Sequence, residues 1–195
     1  MKQNLVVATV ICIALLAATA SAVEYDGHNK MILPQDYRQW VFLSSGLGMS
    51  YRASAAPETN PGFDNVFVNP AAYQAFLKTG TWPDKTVLIL EARGSDTNVS
   101  INKTGRVQTG LLAIEAHVKD ASRGGWAFYS FGNGSQREGT LFPKTADCYS
   151  CHEQHAVVDT TFVQFYPVLA EIAKSKGTLM EPPAVTKDGR ATPKQ

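Results

Sequence analysis

Cys148-Tyr149-Ser150-Cys151-His152 is the part of the chain best equipped for chemistry. Two thiols separated by two residues, with an imidazole directly after the second, match the attachment signature of a c-type haem. In that reading the thiols of Cys148 and Cys151 form thioethers to the haem vinyl groups, and His152 reaches the iron from the proximal side. Of the three cysteines, Cys12 lies in a segment read below as a removable leader. No thiol is then left for a disulfide framework or a four-cysteine metal site. Two other chemistries use the same residue types. A thioredoxin-like redox pair needs a strand before it, a helix after it and a lowered thiolate pKa. Here the preceding run is Leu141-Phe142-Pro143-Lys144-Thr145-Ala146-Asp147, polar and proline-containing. A zinc site needs two further ligands; His117 and His155 are available but form no recognisable second pair. Covalent haem is the preferred reading.

Other side chains could serve such a cofactor. Between Leu111 and Val118 the chain alternates, with Leu112, Ile114, Ala116 and Val118 on one face and Ala113, Glu115 and His117 on the other. Facing a haem cavity, Glu115 would act as a general base or hold water, with a pKa raised by burial. Facing solvent or a second subunit it would be an ordinary strand residue, and this second reading is favoured because carboxylates are mostly exposed. Glu91 has a weaker claim of the same kind. His117 is read as structural rather than as a second haem ligand, and His155 as a surface or propionate neighbour. Arg123 and Arg137 are candidate propionate partners. Met31 and Met49 are candidate sixth ligands of the type that electron carriers use.

These residues must be delivered and then positioned. Met1-Lys2-Gln3-Asn4, the apolar run Leu5 to Ala18 and the small residues Ala20-Ser21-Ala22 read as a secretory signal peptide over residues 1–22. The apolar run is shorter than the roughly 20 residues of a spanning helix, so no stable membrane anchor is expected. Export agrees with haem c, and in a bacterium the destination is the periplasm. Losing Lys2 from the 18 basic residues leaves them matched by the 17 acidic ones. This balance gives no footprint for nucleic acid or for anionic lipid. Residues 23–175 are expected to form one domain, and residues 176–195, with Pro182 and Pro183, a flexible tail.

Within that domain, Pro34 to Phe42 reads as a helix opening at proline, and Ser44 to Gly62 as a long Gly/Ser/Ala/Pro loop. Strands are expected at Phe63 to Val68, Thr86 to Ala92, Gly110 to Val118 and Trp126 to Phe131, with a polar hairpin connection from Asp96 to Arg106. Helices are expected at Ala71 to Lys78, closed by Gly80, at Cys148 to Gln154, and at Phe162 to Ala173 despite Pro167. The sum is a mainly β fold: an antiparallel sheet with flanking helices, and haem c lying against the sheet.

Several ordered blocks carry a resemblance. Leu33-Pro34-Gln35-Asp36-Tyr37-Arg38-Gln39-Trp40-Val41, Val66-Phe67-Val68-Asn69-Pro70, Leu77-Lys78-Thr79-Gly80, Gly125-Trp126-Ala127-Phe128-Tyr129, the Cys148 to Glu153 motif and Phe165-Tyr166-Pro167-Val168-Leu169 resemble the cytochrome P460 family. The resemblance implies a mainly antiparallel β fold, a homodimer and a five-coordinate haem c with His152 as its sole protein axial ligand. The family includes hydroxylamine-oxidising members, in which a strand lysine is cross-linked to the haem, and cytochrome c′-beta members that bind nitric oxide. By motif-anchored placement the lysine position falls at Leu90, which cannot cross-link. Lys85 precedes the strand and would need another register; Lys78 belongs to the preceding helix. Where the oxidising branch is expected to carry an arginine, this chain has Asp64. The chain is therefore placed nearer the cytochrome c′-beta-like branch.

On the distal side, Phe63, Phe67 and Leu90 are candidates for an apolar cap that admits diatomic gases and excludes water; the alternative for both phenylalanines is plain core packing. Three readings stand. The first and preferred one is a periplasmic haem c protein that binds nitric oxide. The second is an oxidoreductase acting on hydroxylamine and passing electrons to a soluble cytochrome partner. The third is a six-coordinate electron-transfer cytochrome.

Overall fold

The computed structural model describes residues 23–28, 30–51 and 59–181; the expected signal peptide lies outside these. Seven strands form one antiparallel sheet in the order β1-β7-β6-β5-β4-β3-β2. They are β1 (Met31–Ile32), β2 (Val41–Leu47), β3 (Phe63–Val68), β4 (Val87–Asp96), β5 (Val107–Asp120), β6 (Gly125–Ser130) and β7 (Glu138–Leu141). Three α-helices accompany the sheet: α1 (Pro70–Thr79), α2 (Asp147–His155) and α3 (Pro167–Lys176). The mainly β, antiparallel architecture expected from the sequence is the one observed. Among the described residues no helix is long and apolar enough to cross a membrane.

β4 explains the continuous apolar run Val87-Leu88-Ile89-Leu90. It sits inside the sheet between β3 and β5, so both its faces need apolar cover. One face packs Val87, Ile89, Ile114, Val118 and Tyr129 against Met31, Tyr37 and Trp40. The other packs Val68 and Leu88 against Phe76 of α1, Leu169 of α3 and the Val157–Val158 segment. The cavity described below lies on this second face and is lined by the sheet and by α2.

Helix ends follow local chemistry. Pro70 and Pro167 each stand at the start of a helix, where a missing N–H costs nothing. Gly80 closes α1 with φ +73, and its carbonyl accepts a 2.7 Å hydrogen bond from Thr178 Oγ1. The single helix expected from Phe162 to Ala173 is divided for the same reason. A short 3-10 turn spans Val163–Phe165, and α3 begins afresh at Pro167, because proline inside a helix clashes with the preceding turn.

Two more expectations are corrected. Pro34 to Phe42 contains only a 3-10 turn at Tyr37–Gln39, and Val41-Phe42 already belong to β2. Ser44 to Leu47, assigned to a loop, continue that strand along β3, with a bulge between Phe42 and Ser44. Of the expected tail, residues 176–181 are engaged rather than free, Met180 N donating to Val157 O at 2.8 Å, and residues 182–195 lie outside the described residues.

Candidate functional site

α2 carries both cysteines and His152, and Tyr149 between them fixes its orientation. The Tyr149 hydroxyl accepts from the Phe128 backbone N–H at 3.2 Å, and the Tyr149 ring meets Phe128 edge-on with centroids 4.8 Å apart. With Tyr149 turned to β6, Cys148 and Cys151 point into the adjoining cavity, one helical turn apart. Both thiols are free and half-buried, and burial raises their pKa values. A redox-active pair would instead show a lowered thiolate pKa.

His152 lines the same cavity. Burial lowers its pKa, against the opposing pull of the Thr160 carbonyl, so the ring is neutral near pH 7. Nδ1 lies 2.7 Å from that carbonyl oxygen. A carbonyl only accepts, so Nδ1 carries the proton and Nε2 keeps its lone pair. This is the tautomer a metal-ligating histidine needs, with its other nitrogen held by an outer partner. Phe162 and Phe128 pack on the ring at centroid distances of 4.2 and 4.7 Å.

The cavity measures about 320 Å³, within the roughly 300–1,000 Å³ of ligand sites. Val66, Leu88 and Leu90 form its floor, and Phe162, Phe165 and Tyr166 a wall. Two carboxylates, Asp64 and Glu115, also line it, and none of its described lining residues is Lys or Arg. Burial raises the pKa of Glu115, and nearby Asp64 raises it further; Glu115 thus keeps a proton to higher pH than a solvated carboxyl. Glu115 faces the cavity rather than the solvent because it is the register partner of Leu90, whose own partner on β3 is Val66.

Strand parity also decides against two expected cap residues. Phe63 and Phe67 alternate with Asp64 and Val66 and do not line the cavity. Phe67 lies on the opposite face, edge-on to Tyr37 and Phe42, so core packing is its role. Leu90 does line the cavity. Glu91, one residue on, faces away and is buried, bound by Tyr37, Arg38 and Arg93. Burial alone would raise its pKa, but these three partners hold it below the usual value.

The remaining candidates separate clearly. Met31 is fully buried in the core of the far face, away from any sixth-ligand position. Met49 lines the cavity, lying over Gly46, where any side chain would collide with its sulfur. Arg123 stacks on Tyr25 at 3.6 Å and Arg137 borders a cleft on the far face. Neither lines the cavity, nor does His155. Lys85, with φ +61 just before β4, is ion-paired with Asp120 outside it. His117 lines the cavity beside His152, their ring centroids 4.9 Å apart. Stacked on Phe128 at 4.0 Å and 10°, it supports the His152 side. Sequence reasoning missed Tyr51, Phe162 and Tyr166 as lining residues; for Phe162 and Tyr166 their place just after the Cys-His helix was the available signal, and Tyr51, far earlier in the chain, had none.

The donor set fits haem c. Two thiols one turn apart, a neutral imidazole with a free Nε2 and an apolar pocket share one cavity. Cys148 and Cys151 would hold the group and His152 would ligate its iron. A family model described as cytochrome P460 matches residues 34–163. No curated protein matches the chain.

Proposed function

From the premise that this chain belongs to the cytochrome P460 family, a family of haem c cytochromes, we propose that it is an exported, five-coordinate haem c protein binding nitric oxide or a related small uncharged nitrogen ligand. The single observation behind this choice is Leu90. It occupies the position of the cross-linking lysine by the motif-anchored placement, and it lines the cavity as an inert apolar wall. Lys85, the nearest lysine in sequence, is engaged with Asp120. Leu90 therefore favours the non-cross-linked, cytochrome c′-beta-like branch, with the protein a periplasmic homodimer.

Haem c would supply an iron with one open coordination position. The chain's own residues select what reaches that position. Val66, Leu88 and Leu90 offer water no hydrogen bonds. With Asp64 and Glu115 in its lining and no Lys or Arg among its described lining residues, the pocket offers an anion such as nitrite no cationic partner and so favours neutral ligands. His152, held by the Thr160 carbonyl, keeps its ring oriented toward the cavity.

A second reading rests on Glu115. Hydroxylamine oxidation requires protons to leave the substrate as electrons do, and a cavity carboxylate with a raised pKa is suited to exchange them. Electrons would pass to a soluble cytochrome partner. The purified ferrous protein, titrated with nitric oxide without oxygen and then assayed for hydroxylamine-dependent reduction of an acceptor, separates the readings. The proposal expects saturable nitric oxide binding and no turnover. Turnover abolished by Glu115→Gln would install the second reading in its place, and a six-coordinate resting spectrum without ligand binding would remove both.

A further inference from the structure

The turn that presents the Thr160 carbonyl to His152 is gripped residue by residue. Thr161 N donates to Val158 O at 2.9 Å, closing a turn in which Asp159 has φ +50. Three different side chains then hold its three successive residues. Lys119 Nζ reaches Asp159 Oδ2 at 3.1 Å. His117 Nε2 lies 3.3 Å from Thr160 Oγ1. Trp82 Nε1 donates to Thr161 Oγ1 at 2.8 Å. His117 and Lys119 stand two apart on β5 and so share one face of the sheet. That face meets the turn directly.

His117 is an uncommon residue to bury at this depth, only 8% exposed. Packing alone would be met by phenylalanine, since the ring stacks on Phe128 at 4.0 Å and packs tilted against Trp126 at 4.3 Å. The nitrogen facing Thr160 is what histidine adds. We propose that His117, acting through Thr160, is a positioning residue that fixes how strongly His152 donates to a bound iron. This rests on the reading of His152 as the iron ligand. The chain of contacts is short: His117 Nε2 to Thr160 Oγ1, then Thr160 O to His152 Nδ1 at 2.7 Å. A carbonyl held in line draws the Nδ1 proton toward itself and makes the ring a better donor; a carbonyl free to swing does so less.

The test uses the haem-loaded protein, with resonance Raman of the ferrous state and the reduction potential as readouts. Three single variants, and the double variant His117→Phe/Thr160→Val, are compared with the parent. His117→Phe keeps the aromatic contacts and removes the nitrogen. Thr160→Val removes the hydroxyl and leaves the backbone carbonyl. Thr160→Ser retains the hydroxyl. The iron–histidine stretching band is expected to fall in frequency, and the potential to rise, in both His117→Phe and Thr160→Val. Thr160→Ser should match the parent, and the double variant should move no further than either single one, because both break one linkage. An unmoved band in Thr160→Val and His117→Phe would reduce His117 to core packing. Should His117→Phe fail to load haem, Thr160→Val, on a half-buried turn, decides alone. Absence of an iron–histidine band in the parent itself would overturn the ligand assignment of His152, a failure distinct from an unmoved band.

Discussion

Asp120 gives a stability prediction whose size and pH window both follow from its surroundings. Its side chain is nearly buried at the end of β5 and is ion-paired with Lys85. It also accepts from Ser122 Oγ at 2.6 Å and Tyr25 OH at 3.1 Å. Burial alone would raise the pKa, but the bonds from Lys85, Ser122 and Tyr25 outweigh it and bring the value from 3.8 to about 2. Nearly two pH units at ~1.4 kcal/mol each correspond to about 2.5 kcal/mol. Lys85 is 44% exposed, and solvent screening of that partner brings the figure to roughly 1.5–2 kcal/mol. Because the folded-state pKa is depressed, this contribution is present above about pH 4 and is lost as pH falls toward 2. Urea unfolding of the parent and Asp120→Asn should show the variant weaker by about that amount at pH 7. The two should converge as pH approaches 2. An equal deficit at both ends, or none at pH 7, would refute the assignment of the stabilisation to the charged carboxylate.

Phe76 is fully buried and packs on Trp82 at 4.3 Å. Phe76→Ala should cost ~3–5 kcal/mol in denaturant unfolding, because the cavity it leaves lies between α1, α3 and the sheet. Phe67→Ala should weaken folding by roughly 2 kcal/mol while stopped-flow ligand association in the loaded protein stays at the parent rate, since Phe67 lies on the far face. Glu115 should titrate above the ordinary carboxylate range. A spectral pH titration of the loaded protein should therefore show a transition there that Glu115→Gln removes. Because folding raises this pKa, the folded protein holds the proton more tightly than the unfolded chain, and stability falls as pH rises through that transition.

The parts of this fold that read clearly from sequence are those where one local rule settles the answer. β4 is apolar at four consecutive positions because it is covered on both faces. Pro70 and Gly80 bracket α1, and the Cys-x-x-Cys-His spacing leaves few chemistries open. β2 was hidden because Ser44-Ser45-Gly46 are weak strand formers whose conformation is set by pairing with β3. β1 and β7 are only two and four residues long, too short for alternation to register. Face assignment was the other failure. Phe63 and Phe67 looked suited to an apolar cap, but side-chain type does not say which side of a sheet a residue takes; pairing does. Placing Leu90 in the cavity commits Glu115 to it as well, since the two are opposite one another across β4 and β5. Exposure statistics for carboxylates pointed the other way. The Thr160 carbonyl had no sequence signal, because a backbone acceptor is supplied by any residue and only the fold selects this one.

Peptide mass mapping of the purified, haem-loaded protein decides whether Cys148 and Cys151 alone hold the haem. One haem is expected on the peptide containing Cys148 and Cys151, with the chain around Lys85 and Leu90 at its unmodified mass. Haem joined to that stretch, or missing from the two cysteines, would contradict this.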